Sequence, residues 1–337
     1  MKETARVAIV GATGLVGREI LAVLEQRLFP LEELQLYASL RSAGEVLDCG
    51  GLSRRVELLD TARFDETDLV FLAAGEAVSA EIAERASAVA TVIDVSQLFA
   101  DDIDVPLVVP EVNAVELART GERGIVASPD SAAVALAVAL RPFAEGAGLR
   151  RVVATSFEAV SGAGQAGIDE LQRQTIDLLS GRSTEPAKFE QRIAFNLFPQ
   201  VGEFLEGGAS RGEQLVSSGI RRILDRPDLP VSITRVRVPL FFGQAIALNL
   251  ETDQHLPVAA VREMLRSAPG VLVEDELSEG QFPTPATAVS EDAISIGRIR
   301  TDAESSTVDL WIASDNLRKG SAVNAVQIAE ILMRDYL

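Results

Sequence analysis

The sequence predicts two domains of different class, an α/β domain on a doubly wound parallel sheet and a second α+β domain. Short apolar strands alternate with helical patterns up to residue 128, which is typical of a parallel sheet covered on both faces. Beyond residue 150 the strands are longer and alternate polar with apolar residues. The last segment is a helical pattern with an apolar stripe that returns to the first domain. We therefore expect residues 1–130 with 317–337 to form the first domain, and 131–316 to form the second.

The first strand and helix carry a glycine motif. The apolar run VAIV, which follows Arg6, leads into GATGLVG at 11–17, and a helical pattern follows. Glycines at this spacing allow a tight turn and a close backbone approach, and the helix N-terminus attracts a pyrophosphate. The strand, turn and helix context makes the motif a Rossmann-type dinucleotide-binding signature.

The second strand, at residues 34–38, is followed by Ser39, Arg41 and Ser42. An NAD site usually has an acidic residue here, which binds the ribose 2′-hydroxyl. An arginine between two serines suits a 2′-phosphate instead, so we predict NADP as the cofactor. The alternative is a surface turn with an incidental arginine.

The remaining apolar runs of the first domain lie at 69–75, 91–96, 105–113 and 124–128. Cys49 lies in EVLDCGG, which we interpret as a hairpin away from the motifs. One cysteine excludes an intramolecular disulfide and fits a reducing compartment. We predict a cytoplasmic protein, because the N-terminus has no apolar signal segment and no apolar run reaches the ~18 residues of a membrane span.

The charge of the chain limits its partners. The sequence has 31 Lys and Arg against 50 Asp and Glu, a net charge of −19 that is dispersed along the chain. Such a surface argues against nucleic acid and anionic membranes as partners. We also predict no metal site.

In the second domain, long strand patterns cover 150–160, 231–251 and 308–316, and helical patterns cover 166–181 and 213–225. We interpret this as an α+β domain whose sheet could face a partner subunit. A homodimer or a larger homo-oligomer is therefore expected.

Ser131 lies where a strand ends and a long apolar helical pattern begins, in ASPDSAAVALAVAL. A helix start presents unpaired backbone N–H groups and the positive end of the helix dipole, which favours a nucleophile there. Serine is also a common helix-capping residue. Both interpretations of Ser131 are consistent with this segment.

Several segments together resemble the aspartate-semialdehyde dehydrogenase family. They are GATGLVGRE, SLRSAG, DVPLVVPEVN, VSGAG, IAFNLFPQ, RVRVP and DNLRKGSAVNAVQIAE, in the order and at roughly the spacing of that family. The resemblance covers nearly the whole chain. It implies a Rossmann domain with an α+β catalytic and dimerisation domain, and a step of amino-acid biosynthesis, the NADPH-dependent reduction of aspartyl phosphate to the semialdehyde. It also implies a set of cofactor-binding residues: Gly11, Thr13, Gly14, Leu15, Val16, Ser39, Arg41, Ser42, Gly162 and Asn316.

The catalytic positions depart from the family pattern. Ser131 stands for the nucleophilic cysteine, Gln244 for the histidine base and Glu158 for a glutamine. At two further positions the family has a basic residue that holds substrate or phosphate, and this chain has Gln214 and Ala100 there. Arg237, which would pair with the substrate carboxylate, matches.

These departures remove the nucleophile, the base and the phosphate contact together. We therefore identify the chain as an active-site-degenerate, Usg-type member, a pseudoenzyme that keeps a dinucleotide-binding and dimeric scaffold and could also assemble with another chain. Ser131 is then expected to cap the helix. The alternatives are a functional NADP-dependent oxidoreductase on an aldehyde or acyl substrate such as aspartate semialdehyde, weak hydrolase chemistry by Ser131 with Glu158, and a structural partner with an empty nucleotide pocket.

Overall fold

Two six-stranded sheets organise the computed structural model, which describes residues 2–302 and 304–337. One unit comprises the chain up to Asp130 together with Ser321–Leu337, and the other comprises Ser131–Gly320. The parallel sheet of the first unit and the mixed sheet of the second confirm the predicted fold class.

The elements of the first unit precede residue 131. Its strands are β1 (Ala5–Val10), β2 (Leu31–Ala38), β3 (Val46–Cys49), β4 (Leu52–Arg55), β5 (Glu57–Leu58), β6 (Leu69–Leu72), β7 (Thr91–Asp94) and β8 (Ile125–Ala127). Its helices are α1 (Leu15–Gln26), α2 (Glu76–Ser87), α3 (Pro110–Asn113) and α4 (Thr120–Arg123), with 3-10 turns at Leu59–Thr61 and Ala114–Arg119.

The elements after residue 130 belong mainly to the second unit, and the last helix of the chain belongs to the first unit. The strands are β9 (Leu149–Glu158), β10 (Val231–Arg237), β11 (Gln244–Thr252), β12 (Val271–Val273), β13 (Ile294–Asp302) and β14 (Thr307–Ser314). The helices are α5 (Ser131–Gly146), α6 (Gln165–Leu179), α7 (Arg211–Ile223), α8 (Val258–Arg266), α9 (Pro285–Ala288) and α10 (Asn324–Asp335). Shorter turns lie at Val160–Ala163 and Leu277–Glu279, and a π-helical segment lies at Arg318–Val323.

The first sheet has the strand order β5-β2-β1-β6-β7-β8, and its neighbouring strands run parallel. β6 is buried along its whole length, as an apolar strand covered on both faces should be. Cys49 is buried in a hairpin of β3 and β4, as predicted. The helix α10 contributes buried side chains to the same apolar core, so the last segment does return to the first unit.

The apolar run at 105–113 does not form a regular strand of the sheet. Leu107 makes an isolated bridge to Ala127, and α3 begins at Pro110. Proline lacks a backbone donor but suits the first turn of a helix, so a run with two prolines ends as a bridge and a helix start.

The second sheet has the order β10-β9-β11-β14-β13-β12 and mixes parallel with antiparallel pairs. Residues of β9, β11 and β14 alternate between buried and partly exposed positions, so this sheet has one covered face and one open face. The helices α5, α7 and α8 pack against the sheet. Within the described part of the chain, no helix is both long and apolar enough to cross a membrane.

Candidate functional site

Four neighbouring strands of the second sheet end at the same level, and each contributes one polar residue there. The pairing register places Arg237 of β10 opposite Glu158 of β9, Glu158 opposite Gln244 of β11, and Gln244 opposite Ser314 of β14. All four are buried, and Gln244 is 0% exposed. We call Arg237, Glu158, Gln244 and Ser314 the polar row.

The start of α5 is bound to the polar row through Gln244. The Ser131 hydroxyl donates to Oε1 of Gln244 at 3.0 Å. In return, Nε2 of Gln244 donates to the carbonyl oxygen of Ser131 at 3.0 Å and to the Ser314 hydroxyl at 2.9 Å. Both hydrogens of the amide are therefore used, and its oxygen accepts from Ser131.

The prediction that the Ser131 hydroxyl caps α5 is wrong. A capping residue precedes the helix and accepts from a backbone N–H two or three residues later. Ser131 is instead the first residue of α5, and its hydroxyl donates to Gln244. This end of the helix is tightly packed, because a Cβ on Gly320 would lie 2.5 Å from the Cβ of Ser131.

Glu158 is held by a two-point ion pair. Arg235 donates from Nε to Oε1 of Glu158 at 2.5 Å and from Nη2 to Oε2 at 2.8 Å. The Ser156 hydroxyl donates to Oε1 at 2.7 Å. Burial alone would raise the pKa of Glu158, but the adjacent Arg235 charge, its hydrogen bonds and Arg237 hold that pKa below its ordinary value. The Glu158 carboxylate, which the alternative of weak hydrolase chemistry pairs with Ser131, is thus bonded to Arg235 and Ser156.

Arg237 lies at the other end of the polar row. Its Nη1 donates to the carbonyl oxygen of Ala159 at 2.6 Å. A Cβ on Gly162 would come within 2.9 Å of the same nitrogen, so the glycine leaves space for the guanidinium. A carboxylate contact by Arg237 stays a prediction.

Asn316, one of the predicted cofactor residues, takes part in a buried network in the second unit. Its Oδ1 accepts from the backbone N–H of Gly243 at 2.9 Å, and its Nδ2 donates to the Ser161 hydroxyl at 3.1 Å. These bonds fix the loops on both sides of the polar row. Cofactor contacts by Gly162 and Asn316 stay predictions.

In the first unit, the structure brings the two predicted nucleotide segments together. The N–H groups of Gly11 and Ala12 both donate to the carbonyl oxygen of Tyr37 near the end of β2, at 2.8 and 3.1 Å. Gly11 has φ +87°, and a Cβ there would lie 2.8 Å from the backbone of Ala73. The turn that follows β2 closes through a bond from Ser42 N–H to the Ser39 carbonyl at 2.9 Å.

The other predicted nucleotide residues lie beside these turns. Thr13 and Gly14 complete the glycine turn, and Leu15 and Val16 begin α1, whose first N–H groups are available to an anion. Arg41 is exposed in the second turn, so its guanidinium is accessible to a ligand.

Three residues of the site are not among those predicted from the sequence: Arg235, Ser156 and Ser314. A signal was present in RVRVP, because two arginines two residues apart on a strand share a face and both are unusual in a buried strand. A buried acid at Glu158 also required a nearby cation. His255, the one histidine of the sequence, is exposed and lies outside the polar row. Among residues 2–302 and 304–337 no group of three or more His, Cys, Asp or Glu side chains could hold a metal ion.

The chain matches two family models and close relatives along its length. Residues 6–120 match a model described as the semialdehyde dehydrogenase NAD binding domain, and 140–319 match the semialdehyde dehydrogenase dimerisation domain. An aspartate-semialdehyde dehydrogenase of Aquifex aeolicus is 41% identical over 336 residues, which is 98% of this chain and 99% of the relative. An aspartate-semialdehyde dehydrogenase 2 of Vibrio cholerae is also 41% identical, with full coverage of both chains.

A solved structure of aspartate semialdehyde dehydrogenase II from Vibrio cholerae, complexed with ASA, is similar throughout. It superposes with a TM-score of 0.96 at 39% identity and covers 100% of each chain. The fold of this chain is therefore that of a solved relative along its whole length.

Proposed function

The chain belongs to the aspartate-semialdehyde dehydrogenase family, and we propose that it is a member that has lost the dehydrogenase reaction while keeping an NADP-binding, homodimeric scaffold. The observation that carries this proposal is the reciprocal pair of hydrogen bonds between Ser131 and Gln244. In it, a hydroxyl and an amide occupy the two positions that a nucleophile and its base would need.

The chemistry of these two groups supports the loss. A thiol ionises near neutral pH, with a pKa of about 8.5 that a helix N-terminus lowers further. A serine hydroxyl does not ionise in this range and needs a base to take its proton as it attacks. The Gln244 amide accepts a hydrogen bond but not a proton, because it has no basic nitrogen.

The acid of the polar row, Glu158, does not replace the base. The Glu158 carboxylate is neutralised by Arg235 and hydrogen-bonded by Ser156, with a pKa held below its ordinary value. Such a carboxylate is a weak proton acceptor. The positions Ala100 and Gln214 carry no cation to hold an acyl phosphate.

The nucleotide part of the proposal is supported by the first unit. The turn at residues 11–14 leads directly into α1, and Gly11 adopts a positive φ against the Ala73 backbone. The turn that follows β2 carries Arg41. Backbone N–H groups at the start of α1 would hold the pyrophosphate, and Arg41 would hold a 2′-phosphate. A bound nicotinamide nucleotide would supply hydride chemistry, which this chain would no longer couple to a nucleophile.

The dimeric part is supported by the match of residues 140–319 to a dimerisation domain. In this proposal the protein acts in the cytoplasm as a nucleotide-responsive scaffold. It could pair with itself or with a different chain, and a pull-down against an active family member would distinguish the two.

The test is an NADP- and phosphate-dependent assay with L-aspartate semialdehyde, on protein made in a strain that lacks its own dehydrogenase. We expect no turnover above the blank, while isothermal titration shows NADPH binding. A cysteine-bearing family member made in the same strain is the positive control.

Two results would overturn parts of the proposal. Turnover that Ser131→Ala abolishes would mean that the serine acts as the nucleophile and that the protein is an active oxidoreductase. No NADPH binding would remove the nucleotide-responsive part and leave a structural partner.

A further inference from the structure

The strand order of the first sheet changes direction between β1 and β6. After β1 the chain crosses to β2 on one side, and after β6 it crosses to β7 on the other side. A parallel sheet with this order opens a crevice beyond the carboxyl ends of the two strands, and dinucleotides bind across it. The glycine turn after β1 and the segment after β6 are therefore the two sides of this crevice.

The structure brings these two segments into contact. A Cβ on Gly11 would lie 2.8 Å from the carbonyl carbon and oxygen of Ala73 and from the backbone nitrogen of Ala74. The N–H of Ala73 also donates to the carbonyl oxygen of Val10 at 2.9 Å. The backbone after β6 thus passes directly beside the turn that would bind the pyrophosphate.

Glu76 is the charged residue of the segment after β6. This segment reads AAGEAVS at 73–79, and its one ionisable side chain is that of Glu76. Glu76 is the first residue of α2 and is exposed. Because the helix dipole stabilises a carboxylate in the first turn, a negative charge is favourable at this edge of the crevice.

A second acid near this edge, Asp94, is turned into the fold. Asp94 ends β7 and is 0% exposed. Its carboxyl group accepts from the N–H and the hydroxyl of Ser96 at 2.8 and 2.5 Å, and from the N–H of Phe99 at 3.2 Å. Burial raises the pKa of Asp94, these bonds lower it, and the charge of Glu76 raises it further. The two acids therefore interact, but Glu76 is the one that is accessible to a ligand.

The proposed binding mode places the nicotinamide half of NADP on the side of Glu76. Arg41, which would hold the 2′-phosphate of the adenosine half, follows β2. The start of α1 would hold the pyrophosphate. Because β2 and β6 flank β1 on opposite sides, the half that carries the nicotinamide extends toward the carboxyl end of β6.

The nicotinamide ring changes its charge with its redox state. The oxidised ring is a cation, and the reduced ring is neutral. A fixed carboxylate beside the ring therefore attracts the oxidised form and not the reduced form. Even in largely aqueous surroundings, two opposite charges near contact distance change an affinity by about fivefold.

We propose that Glu76 makes the first unit bind NADP⁺ more tightly than NADPH, so that the scaffold responds to the redox state of the nicotinamide pool. The inference rests on the proposed binding of NADP, and it adds the form of the nucleotide and the residue that selects it. Both sides of the crevice lie within residues 6–120, which match the NAD binding domain. Glu76 is a specificity-determining residue in this role, because its charge distinguishes the two forms of one ring.

The test compares three nucleotides by isothermal titration: NADP⁺, NADPH and adenosine 2′,5′-bisphosphate, which lacks the nicotinamide half. Each is titrated into wild type, Glu76→Gln and Glu84→Gln. Glu84 is the matched control, because it is an exposed acid on the same helix, about 12 Å further along the axis from the crevice. Far-UV circular dichroism checks that each variant is folded.

The measured quantity is the ratio of the dissociation constants for NADPH and NADP⁺. We expect this ratio to be about five or more in wild type and in Glu84→Gln, and about fivefold lower in Glu76→Gln. The dissociation constant for the bisphosphate should change less than about twofold, because this ligand does not reach Glu76. Added salt should move the wild-type ratio toward that of Glu76→Gln, because salt screens an exposed charge.

Three results would overturn the inference. A ratio that is the same in wild type and Glu76→Gln would show that the charge does not distinguish the two forms. An equal loss of affinity for both forms would mean that Glu76 binds a group common to them, such as a ribose hydroxyl. Equally tighter binding of both forms by Glu76→Gly would mean that the side chain acts by its size.

These outcomes separate the inference from the proposed function. Binding of NADP⁺ and NADPH with a ratio that ignores Glu76 would remove only the inference. A folded wild-type protein that binds none of the three nucleotides would remove the nucleotide part of the proposed function and the inference together, whatever the activity assay gives.

Discussion

Arg235 and Glu158 form a buried two-point ion pair across neighbouring parallel strands, with N···O distances of 2.5 and 2.8 Å. Arg235 is 2% exposed and Glu158 is 6% exposed. Arg235 also donates to the carbonyl oxygen of Gly212 at 3.1 Å, which links the pair to α7. The acid in the polar row is therefore a structural group with a dedicated cation.

Breaking this ion pair from one side should destabilise the protein strongly. Glu158→Gln leaves a buried guanidinium without its charge partner, and Arg235→Met leaves a buried carboxylate. We expect each single variant to lose about 3–5 kcal/mol of unfolding free energy, and the double variant to lose less than the sum. Urea unfolding of all four proteins measures this. Additive losses would mean that the two side chains do not interact in the folded protein.

The same pair should make stability depend on acidic pH. The pKa of Glu158 is held below its ordinary value in the folded protein, so the unfolded chain takes up a proton first as pH falls. The stabilisation is complete above the ordinary glutamate pKa of about 4.3 and is lost as pH falls through the lower folded value. We expect the difference in unfolding free energy between wild type and the double variant to shrink below about pH 4. A difference that stays constant down to pH 3 would contradict the assignment.

Ser131→Ala should affect stability more than chemistry. It removes the donor to Gln244 Oε1, which is fully buried, and leaves that oxygen without this partner. We expect a loss of about 1–3 kcal/mol. Ser305→Ala is the control, because Ser305 is exposed and water replaces its lost bonds. Equal melting temperatures for the two variants would show that the Ser131 bond contributes little.

Ser131→Cys should produce a reactive thiol without restoring turnover. The new thiol would lie in the first turn of α5, where the helix dipole favours the thiolate. Cys49 is an internal comparison, since burial raises the pKa of its thiol. We expect iodoacetamide to alkylate residue 131 at pH 7 much faster than Cys49, as followed by peptide mass spectrometry. Turnover of aspartate semialdehyde by this variant would show that Gln244 does not block the reaction.

Arg41→Ala should weaken NADP binding selectively. If the exposed Arg41 contacts the 2′-phosphate, its loss should raise the dissociation constant for NADPH about tenfold or more and leave that for NADH nearly unchanged. Isothermal titration with both nucleotides measures the two constants. An equal effect on both would support the interpretation of Arg41 as a surface-turn residue.

Much of this architecture could be predicted from local patterns. The glycine turn, the hairpin around Cys49 and the returning helix α10 each follow from spacing within a short segment. The position of Ser131 relative to its helix could not, because a shift of one residue changes a capping residue into a first-turn residue. The Arg235 and Glu158 pair also could not. It depends on the register between β9, which ends at Glu158, and β10, which begins at Val231, and the register between strands so distant in sequence is a tertiary property.

The polar row is fixed by strand pairing. Its members are set by strand register, and a slip of one residue would turn every side chain of a strand to the opposite face of the sheet. The positions of these four side chains therefore follow from the fold of the second unit, whatever reaction the chain performs. A substitution at Glu158 is therefore compatible with the fold only when its partner Arg235 changes with it, because the two side chains form one buried ion pair between neighbouring strands.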